Sequence, residues 1–575
     1  MTGTIFRLTR PEQRSRRGDD LRLDGRSLRR WLDALPPANL GETAKRLYHT
    51  LVELNHLRDK AKDRLRFLTE TEAAAAEVAA SLRGHYLRDE FPLAAKGARV
   101  AGFVRTFHAE RALGYWMVVE DIGPARFGTA RGMAALALHR VLHHLGRLLL
   151  NRYQLYASPA PGLWQQVHSA YRLACRQGVD RKRVPPVPGV ADSPTTTPAD
   201  AYKQLLLLAL AGPFGLPRAH IEEVYAVAAD WAADTSLGPC PASAEQCAHF
   251  RVDLDSDRGP HHPGLEGAGP ATDACREFDL TALAPRLRQA VAEDAQAPNG
   301  REDRAVAPAL LRHLALAWNM PRPRNAVRSP GRGALDTVMG LAAAHETLVR
   351  SGQGEPFAQP QRRSQFHATA TRGEAAARDA WALFQPQVDD RLDPEPDAAE
   401  VITELAVSRW AVADTSEGGY CLVPEKRATS SYGVGWVLGL GQPGTARWEV
   451  GVIRWLQQKA AGSVQIGVEV LSRSVQAVAV RPAAGSDLQR AILLQGNATG
   501  EAPDSLLVPS LLFRPGQQAI LRSGGRERRI HIEEQLEDTG RVARFYFHEP
   551  HRDAPQTPED RPGEKGFGDR FWSDL

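Results

Sequence analysis

The chain has 575 residues, 43% of them hydrophobic and 24% charged, which is enough for several domains with real cores and unlike a wholly disordered chain. Its formal net charge of +4 is small for that length, so overall electrostatics selects neither a nucleic acid nor a membrane as partner. Five cysteines without a regular framework, and no apolar run near the ~18 residues that span a bilayer, give the reading of a soluble, cytoplasmic protein.

Charge is nonetheless uneven. Residues 1–30 carry nine Arg against four acids, and Asp389–Glu400 carries six acids against one Arg. The arginines near the start are followed by no apolar stretch of signal-peptide type. Residues 1–25 are therefore expected to be a mobile, disordered basic tail. Ser27 is placed to cap a short helix, Leu28–Leu35, which Pro36 and Pro37 end. Asn39 and Glu42 are spaced as a capping box. Beyond them Leu40, Ala44, Leu47, Leu51 and Leu54 lie three or four apart, one apolar helix face that continues toward Leu65 and Leu68.

Helical patterning persists through 26–319, as in Gly132–Leu155, Leu163–Gly178, Ala199–Ala211, Ala219–Ala233 and Arg304–Asn319. Within a Pro-, Gly- and His-bearing break at 238–276, Ala248–Asp255 alternates as a strand does. After about residue 320 the texture changes. Residues 352–400 read as a polar insertion. Short β-type runs then follow at Gly433–Leu440, Trp448–Leu456, Val464–Leu471, Ala477–Arg481, Ala491–Gln495, Ser505–Leu512, Gln518–Arg522, Arg529–Gln535 and Val542–His548. Turn signals between them argue for a barrel or sandwich. The charged, proline-rich stretch 550–575 reads as a mostly disordered tail.

The most informative stretch is Trp410–Leu422, in which two strand-like runs flank the turn Asp414-Thr415-Ser416-Glu417-Gly418-Gly419. Asp414 and Ser416 can fold back on local backbone N–H groups, and the glycines permit a positive φ or a close approach. The spelling Asp-x-Ser-x-x-Gly resembles the second signature of PilZ domains, bacterial receptors for cyclic di-GMP. That family also carries Arg-x-x-x-Arg upstream, and Arg324 and Arg328 match it; Arg328 and Arg332 form an overlapping match. Guanidinium groups suit such a ligand because they pair with phosphate, bond guanine O6 and N7, and stack on bases. Arg328 and Asp414 are farther apart in sequence than is usual in the family, and the polar block 352–400 accounts for the excess, since long loops cost little extra closure entropy. Downstream, Arg454-Trp455 followed by Ile466-Gly467-Val468 resembles successive barrel strands of PilZ proteins.

The resemblance covers about 320–485. The run Ala201–Pro213 further resembles a group of large proteobacterial proteins with a helical N-terminal region and a divergent PilZ domain. The implied fold is multidomain α plus β: an all-α region at 26–319, a PilZ-like antiparallel β-barrel at 320–485, and a small β appendage at 486–549. The implied ligand is cyclic di-GMP, gripped by Arg324 and Arg328 and lined by Asp414, Ser416 and Gly419.

Other chemistry finds little support. His139 and His143 are four apart, as metal ligands on one helix face would be, but no third ligand is recognisable and amphipathic helix surface is the simpler reading. Cys240, Cys247, His261, His262 and Cys275 match no compact zinc spacing. No phosphate-binding Gly-rich loop or nucleophile elbow is present. The expectation is a non-enzymatic receptor without metal or cofactor, whose helical region meets an unidentified protein partner. The alternative is an interaction scaffold whose barrel has lost the nucleotide. A nucleic-acid partner is opposed by the small net charge and by the lack of aromatic–basic interleaving.

Overall fold

The computed structural model describes residues 5–355 and 406–549, apart from 19, 21–23, 37, 125–127, 191–195, 242–248, 263–271, 297–307, 319–327, 427–430, 460–462, 484–486 and 497–502. The chain divides into two compact units, one before residue 320 and one after it.

The first unit is built on α1 (Gly25–Asp33), α2 (Leu40–Asn55), α3 (Ala61–Glu70), α4 (Glu72–Arg88), α5 (Ala95–Ile122), α6 (Gly128–Gln154), α7 (Leu163–Arg176), α8 (Pro198–Leu210) and α9 (Arg218–Trp231). Asn39 caps α2, accepting from the Glu42 N–H at 3.0 Å. α1 begins earlier than Ser27 suggests, because the Asp24 carboxylate accepts from the Ser27 N–H and so takes the cap position. Long α5 and α6 pack together at the centre, with Met117, Val118, Leu138, Val141, Leu142, Leu145 and Leu149 fully buried.

Residues 5–18 depart from the mobile tail expected of them. The Phe6 N–H donates to Pro161 O at 2.6 Å, Arg14 forms a parallel bridge with Leu57, and Leu8 is buried. The arginines are anchors: Arg10 pairs with Glu120 at 3.0 Å and Asp121 at 2.6 Å, and Arg16 with Asp59 at 2.6 Å. These partners lie far along the chain, so local composition shows only unbalanced charge.

α6 also departs from the surface reading of its histidines. His139 is 5% exposed, with Nε2 2.7 Å from Thr196 Oγ1, and burial together with the neighbouring Arg140 charge pushes its imidazole down to about 3. Next to it in the core lies an ion network. The Glu72 carboxylate accepts from Arg111 at 2.7 Å and from the Tyr115 hydroxyl at 2.6 Å, and stands 3.3 Å from His144 Nε2. Burial works against the charge on Glu72, but Arg111 and His144 outweigh it and hold the carboxyl well below its ordinary range.

The region is not wholly helical. β1 (Ser236–Pro239), β2 (Phe250–Asp253) and β3 (Cys275–Asp279) form an antiparallel sheet in the order β1-β3-β2, and β2 is the strand legible in 248–255. Pro239 faces Arg276, which brings Cys240 and Cys275 into a disulfide that their spacing does not signal. α10 (Leu283–Gln296) and α11 (Pro308–Ala317) follow.

The second unit opens with β4 (Ser329–Pro330), β5 (Ala334–Met339) and α12 (Leu341–Arg350), then β6 (Ser408–Ser416), β7 (Gly419–Pro424), β8 (Val437–Gly441), β9 (Trp448–Gln458) and β10 (Val464–Ser472). Strand pairing runs β5-β8-β9-β10-β7-β6 and returns to β5, an antiparallel closed circuit; β4 extends the line of β5 along β6. A second closed barrel, ordered β11-β12-β13-β16-β15-β14, comprises β11 (Val475–Pro482), β12 (Gln489–Leu494), β13 (Ser505–Pro509), β14 (Gln518–Ser523), β15 (Arg526–Asp538) and β16 (Val542–His548). The boundary thus falls near 473 rather than 485, because β11 pairs with β12 and β14. α12, a helix within a region that reads as β, wedges between the barrels. Ala344 and Leu348 pack with Val338 and Val450 of one barrel and with Val475, Ile492 and Val542 of the other.

Candidate ligand-binding site

The register of β4 positions the site. Ser329 lies opposite Thr415 and Pro330 opposite Asp414, so the basic arm is stitched to the β6–β7 hairpin across 86 residues of sequence. The close approach depends on Gly331, where a Cβ would stand 2.3 Å from Val412 O. Arg328, just before β4, reaches Asp414 with Nη1 3.5 Å from Oδ2, and both side chains are partly exposed.

These residues border an open cavity of about 170 Å³, lined by Arg328, Asp414, Ser416, Gly418, Gly419, Tyr420, Cys421, Arg454, Trp455, Gly467, Val468 and Glu469. Four of the five residues singled out from sequence, Arg328, Asp414, Ser416 and Gly419, therefore share one cavity. Arg324 lies outside the described residues. Asp414 faces Arg328 and the Cys421 thiol rather than folding onto a local N–H; burial and the Asp414 charge push that thiol up to about 11. Gly419 serves a close approach: a Cβ there would stand 2.0 Å from Val468 O of β10. Ser416 Oγ donates toward Gly419 O at 3.5 Å, across the mouth of the turn.

Three stretches of family resemblance match in tandem. Residues 26–242 match the N-terminal domain of the cyclic-di-GMP receptor FimW, 249–476 its middle PilZ domain, and 474–550 the FimW C-terminal beta-barrel domain. The chain therefore contains a PilZ domain, within residues 249–476. It is 26% identical to the cyclic-di-GMP receptor FimW of Pseudomonas aeruginosa, over 96% of each chain. No solved structure matches it significantly. The match beginning at 474 agrees with the observed start of the second barrel at β11.

In this PilZ domain the cavity wall contributed by β9 and β10 was only partly legible. The sequence shows Arg454-Trp455 as a strand pattern, not as lining. A bulge explains both residues. Gly467 faces Trp455 and Val468 faces Ile453, so Arg454 is the extra residue and its side chain shares the cavity face with Trp455. Arg454 Nε binds Glu469 at 2.5 Å and Nη2 donates to Glu537 at 3.0 Å. Burial opposes the guanidinium charge, but Glu537 and Glu469 more than compensate and raise its pKa. Arg473, at the rim, donates to the Glu417 carbonyl at 3.1 Å. The cavity thus combines two lining guanidinium groups, two lining carboxylates and one lining indole. Among the described residues no cluster suited to a metal ion occurs, and no helix is long and apolar enough to cross a membrane.

Proposed function

We propose that this protein is a non-enzymatic receptor for cyclic di-GMP, which binds on the first barrel in the cavity between the β4 arm and the β6–β7 hairpin. The observation that carries the reading is the convergence of Arg328 with Asp414, Ser416 and Gly419 on one cavity, in a chain related along its length to a cyclic-di-GMP receptor. The chemistry is matched to a compact dianion carrying two guanines. Arg328, with Arg324 beside it in sequence, supplies guanidinium for phosphate and for guanine O6 and N7. Asp414 is an acceptor for guanine N1–H and N2–H, and Ser416 bonds the ligand edge. The Trp455 indole offers a base-stacking surface on the opposite wall. Binding at a soluble second-messenger site fits a cytoplasmic protein, and the helical unit is then the surface offered to a protein partner.

Calorimetric titration of the full chain with cyclic di-GMP tests this. Saturable binding that is lost in both Arg328→Ala and Ser416→Ala is expected. Heat of binding unchanged in Arg328→Ala, or its absence in the wild type, rejects this site as the receptor site and favours a scaffold role.

A further inference from the structure

Arg454 connects the cavity to the second barrel. Its guanidinium is shared between Glu469 of β10, at 2.5 Å, and Glu537 of β15, at 3.0 Å, with Nη1 in contact with the same Glu537 carboxylate. Glu537 does not line the cavity. It introduces the β15–β16 connection, whose other residues press on the first barrel beside Arg454. The Arg541 guanidinium stands 4.1 Å from the centre of the Trp436 ring, and Thr539 occupies the space above Gly435, where a Cβ would lie 2.9 Å from it. Gly435 and Trp436 are themselves bonded to the backbone of Ile453, the residue before Arg454, at 2.8 and 2.9 Å. Glu537, Thr539 and Arg541 form a clasp on one short stretch of the first barrel.

Charge gives the clasp a consequence. Arg328 is balanced by Asp414, and Arg454 by two carboxylates. An incoming dianion meets Glu469 in the cavity wall, so it gains from Arg454 only what that side chain withdraws from its present partners. Glu469 is held in β10 within the first barrel, whereas Glu537 belongs to a hairpin of the second. Resting on the receptor reading above, we propose that Glu537 competes with bound cyclic di-GMP for Arg454, so that ligand binding loosens the β15–β16 connection from the first barrel. By reciprocity, the closed clasp holds the affinity for ligand down. The second barrel then senses occupancy of the first through one guanidinium.

The test compares full-length wild type with Glu537→Gln, which removes the charge of this partly buried side chain and keeps its shape. Calorimetry with cyclic di-GMP is paired with amide hydrogen exchange over residues 536–542. Glu537→Gln is expected to bind about fivefold or more tightly than wild type. Exchange in the connection is expected to accelerate on adding ligand to wild type, and to be fast already in Glu537→Gln without ligand. Equal saturable binding in both proteins overturns the clasp while the receptor reading stands. Absence of binding in both overturns the two together.

Discussion

Trp455 lies directly opposite Gly467 in the β9–β10 ladder, and its indole occupies the space a side chain at 467 would need: a Cβ there would stand 1.8 Å from Nε1. The glycine is thus the seat of the tryptophan. Replacing it by valine must expel the ring from this wall. Gly467→Val is expected to cost ~1–3 kcal/mol of stability as an overpacked site. Removing the ring with Trp455→Ala, while leaving the seat intact, is expected to cost ~1–3 kcal/mol of ligand affinity if a base stacks there. Urea unfolding and calorimetry separate the two effects; a Trp455→Ala protein with wild-type affinity would deny the indole any role in binding.

Leu348 of α12 sits in an apolar cluster drawn from both barrels. Leu348→Ala removes contacts on two sides at once and is expected to cost ~2–5 kcal/mol. Because the core is shared, both barrels should weaken together in a single calorimetric transition. Loss of one barrel at an unchanged midpoint for the other would show that α12 does not couple them.

Within the helical unit, Arg111 and Glu72 are each about 2% exposed as side chains. Arg111→Met strands a buried carboxylate and is expected to destabilise the unit by ~3–5 kcal/mol, whereas Arg111→Met with Glu72→Leu should recover most of that loss. The pair of denaturation curves decides it. A single variant as stable as wild type would mean that solvent or another cation reaches Glu72.

His139 predicts a direction with pH. Its folded pKa, pushed down to about 3, lies below the ordinary value of 6.5. Above the ordinary value the ring is neutral in both states and its packing contributes fully. As pH falls through that value the unfolded chain takes up a proton that the folded protein refuses, so stability is lost toward acid. The charged neighbours Arg140 and Glu72 act on the ring in opposite senses, and burial with Arg140 prevails. Denaturation midpoints from about pH 8 to about pH 5 should therefore fall, and fall less steeply in His139→Gln. Equal slopes would place the proton uptake elsewhere.

Local patterning alone determined much of this protein. Every β-type run named between Gly433 and His548 corresponds to a strand, and the apolar stripe from Ala44 to Leu54 is the buried face of α2, because burial periodicity is written into consecutive residues. The Asp-x-Ser-x-x-Gly turn and the arginine before β4 were legible as short motifs, since each depends on residues within a few positions. Tertiary structure decided what local patterns do not encode. It turned the N-terminal arginines into anchors whose acids lie on α5 and in the connection between α2 and α3, and placed His139 in a core rather than on a surface. It drew Arg328 to Asp414 through the pairing of β4 with β6, and gave β11 to the second barrel. It also used a bulge to set Arg454 beside Trp455 and within reach of Glu537, a carboxylate of another barrel. Charge pairs, ladder registers and bulges join residues distant in sequence, and their energies depend on distances that only the folded chain sets.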